Sequence, residues 1–180
     1  DLKEQNIMSV LYQQTAAERE AVNFQTFRSA KQVLDSALAD PTWSALGQPM
    51  YPYKKPAIIL DIDETVLDNT AYEARMILDG TSYPEGWISW GKEAAATAVP
   101  GVKEFLEHAQ SKGVTIFYVT NRVVELKNAT QRNLTKLGIP WDKSKETILM
   151  RGENDWGSDK GSRRRLISEQ YRVLMLIGDN

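Results

Sequence analysis

Four short apolar segments, separated from one another by helical patterns, constrain the fold of this 180-residue chain more than any other feature. They have the length and the β-branched content of buried strands, and they lie at 57–60, 114–119, 147–150 and 172–177. Strands that alternate with helices form a parallel sheet between two layers of helices. The sequence therefore predicts a three-layer, Rossmann-like α/β fold, in which ligands bind at the carboxyl ends of the strands.

Helical patterns also precede the first predicted strand. The first 40 residues predict two helices, and Thr15 and Glu18 have the spacing of a capping box at the start of the second. Asp40-Pro41 should end that helix. Apolar residues three and four positions apart predict its buried face, namely Phe24, Phe27, Ala30, Leu34, Ala37 and Leu38. An irregular connector with Pro49, Pro52 and Pro56 then leads to the strand.

A second helical pattern, interrupted by Gly80, Pro84 and Gly86, follows the first strand and predicts a small helical cap. The expected organisation is a single domain. It consists of N-terminal helices at 1–48, an α/β core at 56–69 and 99–180, and a cap insertion at 70–98.

Composition restricts the chemistry to carboxylates. The chain has no cysteine, which excludes disulfides and thiol nucleophiles, and one histidine, His108, which excludes a zinc site with several imidazoles. His108 lies in a charged helical stretch, where a solvated or helix-capping role is expected. With 24 acidic and 22 basic residues, the chain has no overall positive field that would attract a nucleic acid polymer. No apolar run reaches the 18 residues of a transmembrane segment.

Polar motifs stand at the ends of three predicted strands. Asp61 and Asp63 follow the first strand, Thr120 and Asn121 the second, and Asp179 the last. Each motif alone is equally typical of a turn or a helix cap. Because the ends of parallel strands meet at one edge of a sheet, these residues are expected to converge on one crevice.

Two aspartates one residue apart suit phosphoryl transfer. Asp61 could attack phosphorus and form an aspartyl phosphate, while Asp63 protonates the leaving alkoxide and then activates water. Such a nucleophile needs a cation between two anions, and Mg²⁺ prefers hard oxygen ligands. The expected ligands are the carboxylates of Asp61 and Asp179 and the backbone carbonyl of Asp63.

Further polar groups are expected to hold the phosphate oxygens. Thr120 and Asn121 offer a hydroxyl, an amide and backbone groups. Lys160 is the preferred basic side chain because Ser158-Asp159-Lys160-Gly161 resembles a loop that enters a helix, where the dipole favours an anion. Lys143, Lys145 and Arg163 are less favourably placed alternatives.

These motifs resemble those of the haloacid dehalogenase (HAD) superfamily, whose phosphatases carry Asp-x-Asp-x-Thr, a threonine or serine, a lysine and an acidic metal motif in this order. Within it, four stretches resemble the bacterial class C non-specific acid phosphatases: 59–69, 99–101, 118–122 and 177–180. The resemblance implies a HAD fold, Mg²⁺ as cofactor, and hydrolysis of phosphomonoesters that include nucleoside 5'-monophosphates. It also implies a periplasmic or outer-membrane lipoprotein location, and it is compatible with a homodimer.

The resemblance extends to the cap and to the end of the chain. Trp87 matches an aromatic residue of the family's substrate pocket, and Tyr72 and Tyr83 are weaker candidates; alternatively, Trp87 and Trp90 are cap core. The family also has a second acidic residue and further core elements after Gly-Asp-Asn, so these elements are expected to be missing after Asn180. A phosphotransferase, a catalytically silent nucleotide-binding protein and a structural surface protein remain the alternative functions.

Overall fold

The computed structural model describes residues 5–47 and 53–179. Pro49, Pro52 and Asn180, which figure in the predictions, lie outside the described residues. The strands are β1 (Lys55–Leu60), β2 (Leu67–Asp68), β3 (Thr97–Ala98), β4 (Thr115–Val123), β5 (Ile148–Arg151) and β6 (Tyr171–Ile177). The helices are α1 (Gln5–Thr15), α2 (Ala17–Ala39), α3 (Thr70–Asp79), α4 (Trp87–Glu93), α5 (Val102–Ser111), α6 (Lys127–Leu137) and α7 (Gly161–Gln170).

Four parallel strands form the central sheet in the order β5-β4-β1-β6. This confirms the predicted α/β class. β1 is an inner strand, and its last residue, Leu60, lies opposite both Tyr118 of β4 and Ile177 of β6. The residues that follow Leu60 and Ile177, and those at the end of β4, therefore emerge side by side.

β4 is longer than the sequence predicts. The predicted strand stops at Val119, but the observed strand continues to Val123, so Thr120 and Asn121 lie inside it. The reason is an irregularity in the β4–β5 pairing: Thr120 pairs with Met150, and pairing resumes only at Val123 with Arg151. Such an irregularity bends a strand and redirects its side chains.

The second N-terminal helix packs its predicted face into the core, with one exception. Phe27, Ala30, Leu34 and Ala37 are buried, whereas Phe24 is 41% exposed. The prediction for Phe24 was wrong: its ring packs on one side against the buried turn at Gly101, where a Cβ would stand 3.1 Å from Phe24 Cδ1, and the rest of the residue faces solvent.

The start and end of α2 agree with the sequence, but the predicted capping box does not form. Ala16 is the N-cap residue and makes no side-chain hydrogen bond. Thr15 Oγ1 instead donates to Leu11 O at 2.7 Å, because Thr15 still belongs to α1 and its hydroxyl reaches the preceding turn.

The segment predicted to be the cap contains α3 and α4, and β2 and β3 pair antiparallel at its two ends. The sequence did not predict these strands because two residues are too few to show periodicity. α4 lies close to the 3₁₀ turn Val124–Leu126 that follows β4. Gly91 permits this approach, since a Cβ there would stand 2.6 Å from Leu126 Cδ1. Of the helices in residues 5–47 and 53–179, none is long and apolar enough to cross a membrane.

Candidate active site

Asp61 follows the central strand β1 and lies at the middle of the sheet's carboxyl edge. Its backbone N–H donates to Ile177 O at 3.0 Å, which holds it against the end of β6. Its Oδ1 accepts a hydrogen bond from Ile62 N at 2.7 Å, and its Oδ2 forms an ion pair with Lys160 Nζ. Both side chains are largely buried, so the carboxylate is held in one orientation.

A tight turn follows Asp61 and reverses the chain. The N–H groups of Val66 and Leu67 both donate to Ile62 O at 2.8 Å, and the N–H of Glu64 donates to Leu67 O, also at 2.8 Å. Glu64 has a φ of 55°, which is uncommon outside glycine and typical of functional turns. None of these hydrogen bonds uses the carbonyl of Asp63.

The carboxylate of Asp63 is held by Arg122 and Asn69. Oδ1 accepts from Arg122 Nε at 2.9 Å, from Arg122 Nη2 at 2.8 Å and from Asn69 Nδ2 at 2.9 Å. Arg122 in turn donates to Thr130 Oγ1 at 3.3 Å, and Trp90 donates to Asn69 Oδ1 at 2.9 Å. The sequence predictions missed Arg122 and Asn69, although both belong to the quoted motifs. Their contacts fix where the carboxylate points.

Thr120 and Asn121 differ in how they present their side chains. Thr120 is completely buried, and its Oγ1 accepts from Arg122 N at 3.1 Å. Asn121 is exposed toward the site, and its Oδ1 accepts from Arg163 Nη2 at 2.8 Å. Of the two predicted phosphate-binding residues, only Asn121 therefore lines the cavity at the end of β1.

A cavity of about 420 Å³ brings five of the six core predictions together. Its lining includes Asp61, Asp63, Asn121, Lys160 and Asp179. Glu64, Ser158, Asp159 and Arg164 complete the lining. Lys160 is the N-cap residue of α7, so the positive end of the helix dipole adds to its charge. The cavity thus combines a held carboxylate with cationic groups that suit a phosphate.

The cavity has the donor set that a magnesium ion needs. Within the described residues, no three or more His, Cys, Asp or Glu side chains form a metal-binding group. Mg²⁺, however, keeps several water ligands and often takes only one or two carboxylates from the protein. The carboxylates of Asp61 and Asp179 line one cavity, and the Asp63 carbonyl accepts none of the turn's hydrogen bonds. These three groups fit the ion.

A second cavity, of about 310 Å³, adjoins the first and shares Asp63, Glu64 and Asn121 with it. The predicted aromatic residues Tyr72, Tyr83 and Trp87 form its walls. The ring centroid of Trp87 lies 5.2 Å from that of Tyr72 and 6.0 Å from that of Tyr83, both edge to face. A flat leaving group would fit against these rings.

Trp90 and two acidic residues of the second cavity, Glu64 and Glu73, are buried or half-buried. Trp90 is 3% exposed and belongs to the core, in agreement with the alternative interpretation for that residue. Burial raises the pKa of Glu64, although hydrogen bonds from Asn69 oppose the shift. Burial also raises the pKa of Glu73, which lines the same cavity.

The alternative basic residues lie elsewhere. Lys143 Nζ stands 5.9 Å from the ring centroid of Trp141, and Lys145 lines a separate cavity beside Phe117. His108 Nε2 lies 3.0 Å from Asp35 Oδ1 and links α5 to α2, away from the site. Arg163 is buried beneath Asn121 and does not line the cavity.

Comparisons with known proteins match the chain over most of its length. The family model for HAD superfamily, subfamily IIIB (acid phosphatase) matches residues 2–180. The class C acid phosphatase from Bacillus anthracis with tungstate bound is 37% identical with a TM-score of 0.83; the match covers 97% of this chain and 68% of that one. A second structure of that enzyme gives 37% identity, a TM-score of 0.81, and coverage of 96% and 67%.

Curated relatives are more distant. The stem 28 kDa glycoprotein of Glycine max is 25% identical over 139 residues, which make up 71% of this chain and 52% of the relative. The stem 31 kDa glycoprotein of the same plant matches at 25% identity over 45% of its length. The chain thus spans about half the length of these relatives.

Proposed function

This chain belongs to the acid phosphatases of HAD superfamily subfamily IIIB, and we propose that it hydrolyses phosphomonoesters in the cavity around Asp61. One observation carries the proposal. The Asp61 carboxylate, paired with Lys160, shares a cavity with Asn121 and Asp179, which reach it from the two neighbouring strands. The Bacillus anthracis enzyme binds tungstate, an oxyanion, which supports an anion-binding role for this chain.

The reaction consists of two displacements at phosphorus. An oxygen of Asp61 attacks, the bond between phosphorus and the ester oxygen breaks, and Asp63 gives its proton to the departing alkoxide. Asp63 then takes a proton from water, whose oxygen attacks the aspartyl phosphate. The bond between phosphorus and Asp61 breaks, and inorganic phosphate leaves.

The phosphate oxygens are held by donors from two elements. Lys160 supplies an ammonium group and Asn121 an amide, and both line the cavity that contains Asp61. Thr120 is buried outside the cavity lining, so its hydroxyl, which accepts from Arg122 N, would donate to a phosphate oxygen only if the end of β4 shifted on binding. Asp61, Asp179 and the carbonyl of Asp63 would hold Mg²⁺. When bound, the ion neutralises charge between nucleophile and phosphate.

Metal dependence tests the function directly. The full-length protein is expected to release phosphate from a chromogenic phosphomonoester when Mg²⁺ is present, and to lose at least about 90% of that rate in excess chelator because two anions then meet unshielded. Adding Mg²⁺ back should restore the rate. Equal rates with and without the chelator would contradict the metal assignment, and no release under either condition would contradict the phosphatase.

The second cavity makes nucleoside 5'-monophosphates part of the proposal, since their bases can stack on Trp87. We expect Trp87→Ala to raise KM for such a nucleotide roughly 5- to 150-fold, which corresponds to the loss of about 1 to 3 kcal/mol of base stacking. KM for glycerol 2-phosphate, which has no ring, should change less than about twofold. Steady-state kinetics with both substrates measure the difference.

Trp141→Ala is the matched control for Trp87→Ala, because Trp141 packs near Lys143 and lines neither active-site cavity. It should leave both KM values unchanged. An equal rise for both substrates in Trp87→Ala would show that Trp87 shapes the cap without binding the leaving group.

The proposal extends to the setting of the enzyme. The residues at 70–98 would act as a cap insertion over the 56–69 and 99–180 core, with 1–48 as N-terminal helices. On the family resemblance, the protein would be a periplasmic or outer-membrane-anchored bacterial enzyme; these properties are compatible with a homodimer. Its partners would be small phosphomonoesters and no nucleic acid polymer.

A further inference from the structure

Arg163 is a buried cation surrounded by neutral oxygen atoms. Its side chain has no exposed surface, although it lies directly beneath a cavity built for an anion. Nη1 donates to Thr120 O at 2.6 Å and to Leu149 O at 3.4 Å. Nη2 donates to Asn121 Oδ1 at 2.8 Å, to Gly157 O at 3.1 Å and to Asp159 O at 3.2 Å.

No carboxylate balances this charge at close range. Among the described residues, Arg163 forms no ion pair, whereas the equally buried Arg122 has Asp63 as its partner. Burial lowers the pKa of Arg163, while the more distant charges of Asp61 and Asp159 oppose that shift. A guanidinium group stays charged nonetheless, and an unpaired buried charge is costly to the fold. Some other contribution of Arg163, to stability or to function, must offset this free-energy cost.

The contact with Asn121 sets the orientation of its amide. Because Arg163 Nη2 can only donate, it selects the amide rotamer in which Oδ1 faces the guanidinium. The two protons on Nδ2 are then directed away from Arg163. Asn121 lines both active-site cavities, so these protons are available to an acceptor bound there.

The same guanidinium also holds the segment that carries Lys160. Gly157 O and Asp159 O, which it contacts, immediately precede Lys160, and Arg163 itself lies in the first turn of α7. Thr120 O and Leu149 O belong to β4 and β5. One side chain therefore joins β4, which carries Asn121, to the segment that carries Lys160.

From these contacts we propose that Arg163 is a positioning residue for phosphate binding. It orients the Asn121 amide so that the amide donates into the cavity, and it holds this amide at a fixed position relative to Lys160. The inference rests on the proposed function, because it assumes that a phosphate occupies the cavity. Arg163 does not touch the substrate; it acts through Asn121 and through the loop at 157–160.

Asn121→Asp separates this role from a purely structural one. The new carboxylate would pair with Arg163, so the unfolding temperature should stay the same or rise. The carboxylate cannot donate and would repel phosphate, so the inhibition constant of inorganic phosphate should rise at least about tenfold, and more than in Asn121→Ala. A purely structural contact predicts unchanged or tighter phosphate binding in the stabilised variant. Competitive inhibition and thermal unfolding of the full chain with Mg²⁺ measure both quantities.

Arg163→Lys provides the second test, with Asn121→Ala as its partner in a double-mutant cycle. Lysine keeps the charge but cannot contact both Asn121 and the loop, so phosphate affinity should fall. In the double variant the two losses should not add, because both remove the same oriented amide. Phosphate binding as tight as in the wild type in Asn121→Asp, or additive losses in the cycle, would overturn the role of Arg163.

The same measurements distinguish this inference from the proposed function. If the wild-type protein shows no Mg²⁺-dependent hydrolysis, but the rise in unfolding temperature caused by added phosphate decreases in the order wild type, Asn121→Ala, Asn121→Asp, the positioning role stands and the phosphatase fails. If the wild-type protein hydrolyses its substrate and Asn121→Asp binds phosphate normally, the phosphatase stands and the positioning role fails.

Discussion

Replacing Asp61 by asparagine is expected to lower kcat for every phosphomonoester at least about a thousandfold, the scale on which covalent catalysis is lost when its nucleophile is removed. Asparagine has nearly the shape of aspartate, and its Oδ1 can still accept from Ile62 N, as Asp61 Oδ1 does at 2.7 Å. The substitution therefore removes the attacking charge while the turn is retained. Single-turnover kinetics with a chromogenic substrate, together with intact mass after rapid quenching, measure the loss.

A control variant and a comparison of protein masses show whether the loss of kcat in Asp61→Asn is due to the missing nucleophile. Asp142→Asn is the matched control, since Asp142 forms a surface turn with Ser144 and lines neither active-site cavity; its kcat should equal that of the wild type. Quenched wild-type enzyme should carry an added phosphoryl group that Asp61→Asn lacks. If Asp61→Asn retained more than about a tenth of the wild-type kcat, the nucleophile would have to be another residue.

Much of the fold and the location of the site could be predicted because both follow from local patterns. A run such as Ala57–Leu60 shows its burial in its own composition, and Pro41 and Gly138 mark helix ends by their backbone preferences. The convergence of Asp61, Asn121 and Asp179 needs one more rule, that parallel strands present their carboxyl ends at the same edge. In the structure, Leu60 of β1 lies opposite Tyr118 of β4 and Ile177 of β6, so the residues after these positions do meet at one edge of the sheet.

The arginines of the site could not be predicted in the same way. Arginine is rarely fully buried, so Arg122 and Arg163 are read from sequence as surface residues. Their burial depends on partners far away along the chain: Arg122 lies 59 positions from Asp63, and Arg163 lies 42 positions from Asn121. The pattern of residues within a single helix or strand cannot reveal contacts between residues so far apart in the sequence. The burial of Thr120 also depends on distant residues, because Thr120 pairs with Met150 of β5, 30 positions further along the chain.

The consequence is that the sequence motif leads to the proposal that two carboxylates react, and the long-range contacts show how the surroundings of these carboxylates differ. Asp61 pairs with Lys160, which also lines the cavity, so the ammonium group of Lys160 can move from Asp61 to contact a bound phosphate. Asp63 pairs with Arg122, whose side chain is 1% exposed and cannot leave. The first carboxylate is thus placed to attack, and the second is held at the border between the phosphate cavity and the leaving-group cavity.

Asp63→Asn should accordingly make the rate depend on the leaving group. An alkoxide leaves poorly unless it is protonated, so kcat for an alkyl phosphate should fall about 10²- to 10⁴-fold, the usual contribution of general acid catalysis. A nitrophenolate needs no proton, so kcat for nitrophenyl phosphate should fall much less when formation of the aspartyl phosphate limits the rate. The measurement is the ratio of the two kcat values in the variant, divided by the same ratio in the wild type.

This ratio also controls for damage to the fold. The amide introduced by Asp63→Asn would still accept one hydrogen bond from Arg122 but would leave a buried guanidinium without its carboxylate, at an expected cost of about 2 kcal/mol in unfolding free energy. A loss of folded protein would lower both rates by the same factor and leave their ratio unchanged. Thr130→Val, which removes only the Arg122 Nη1 contact, should destabilise the site without changing the ratio. If Asp63→Asn slowed both substrates equally, Asp63 would support the geometry of the turn, and the proton would come from another group.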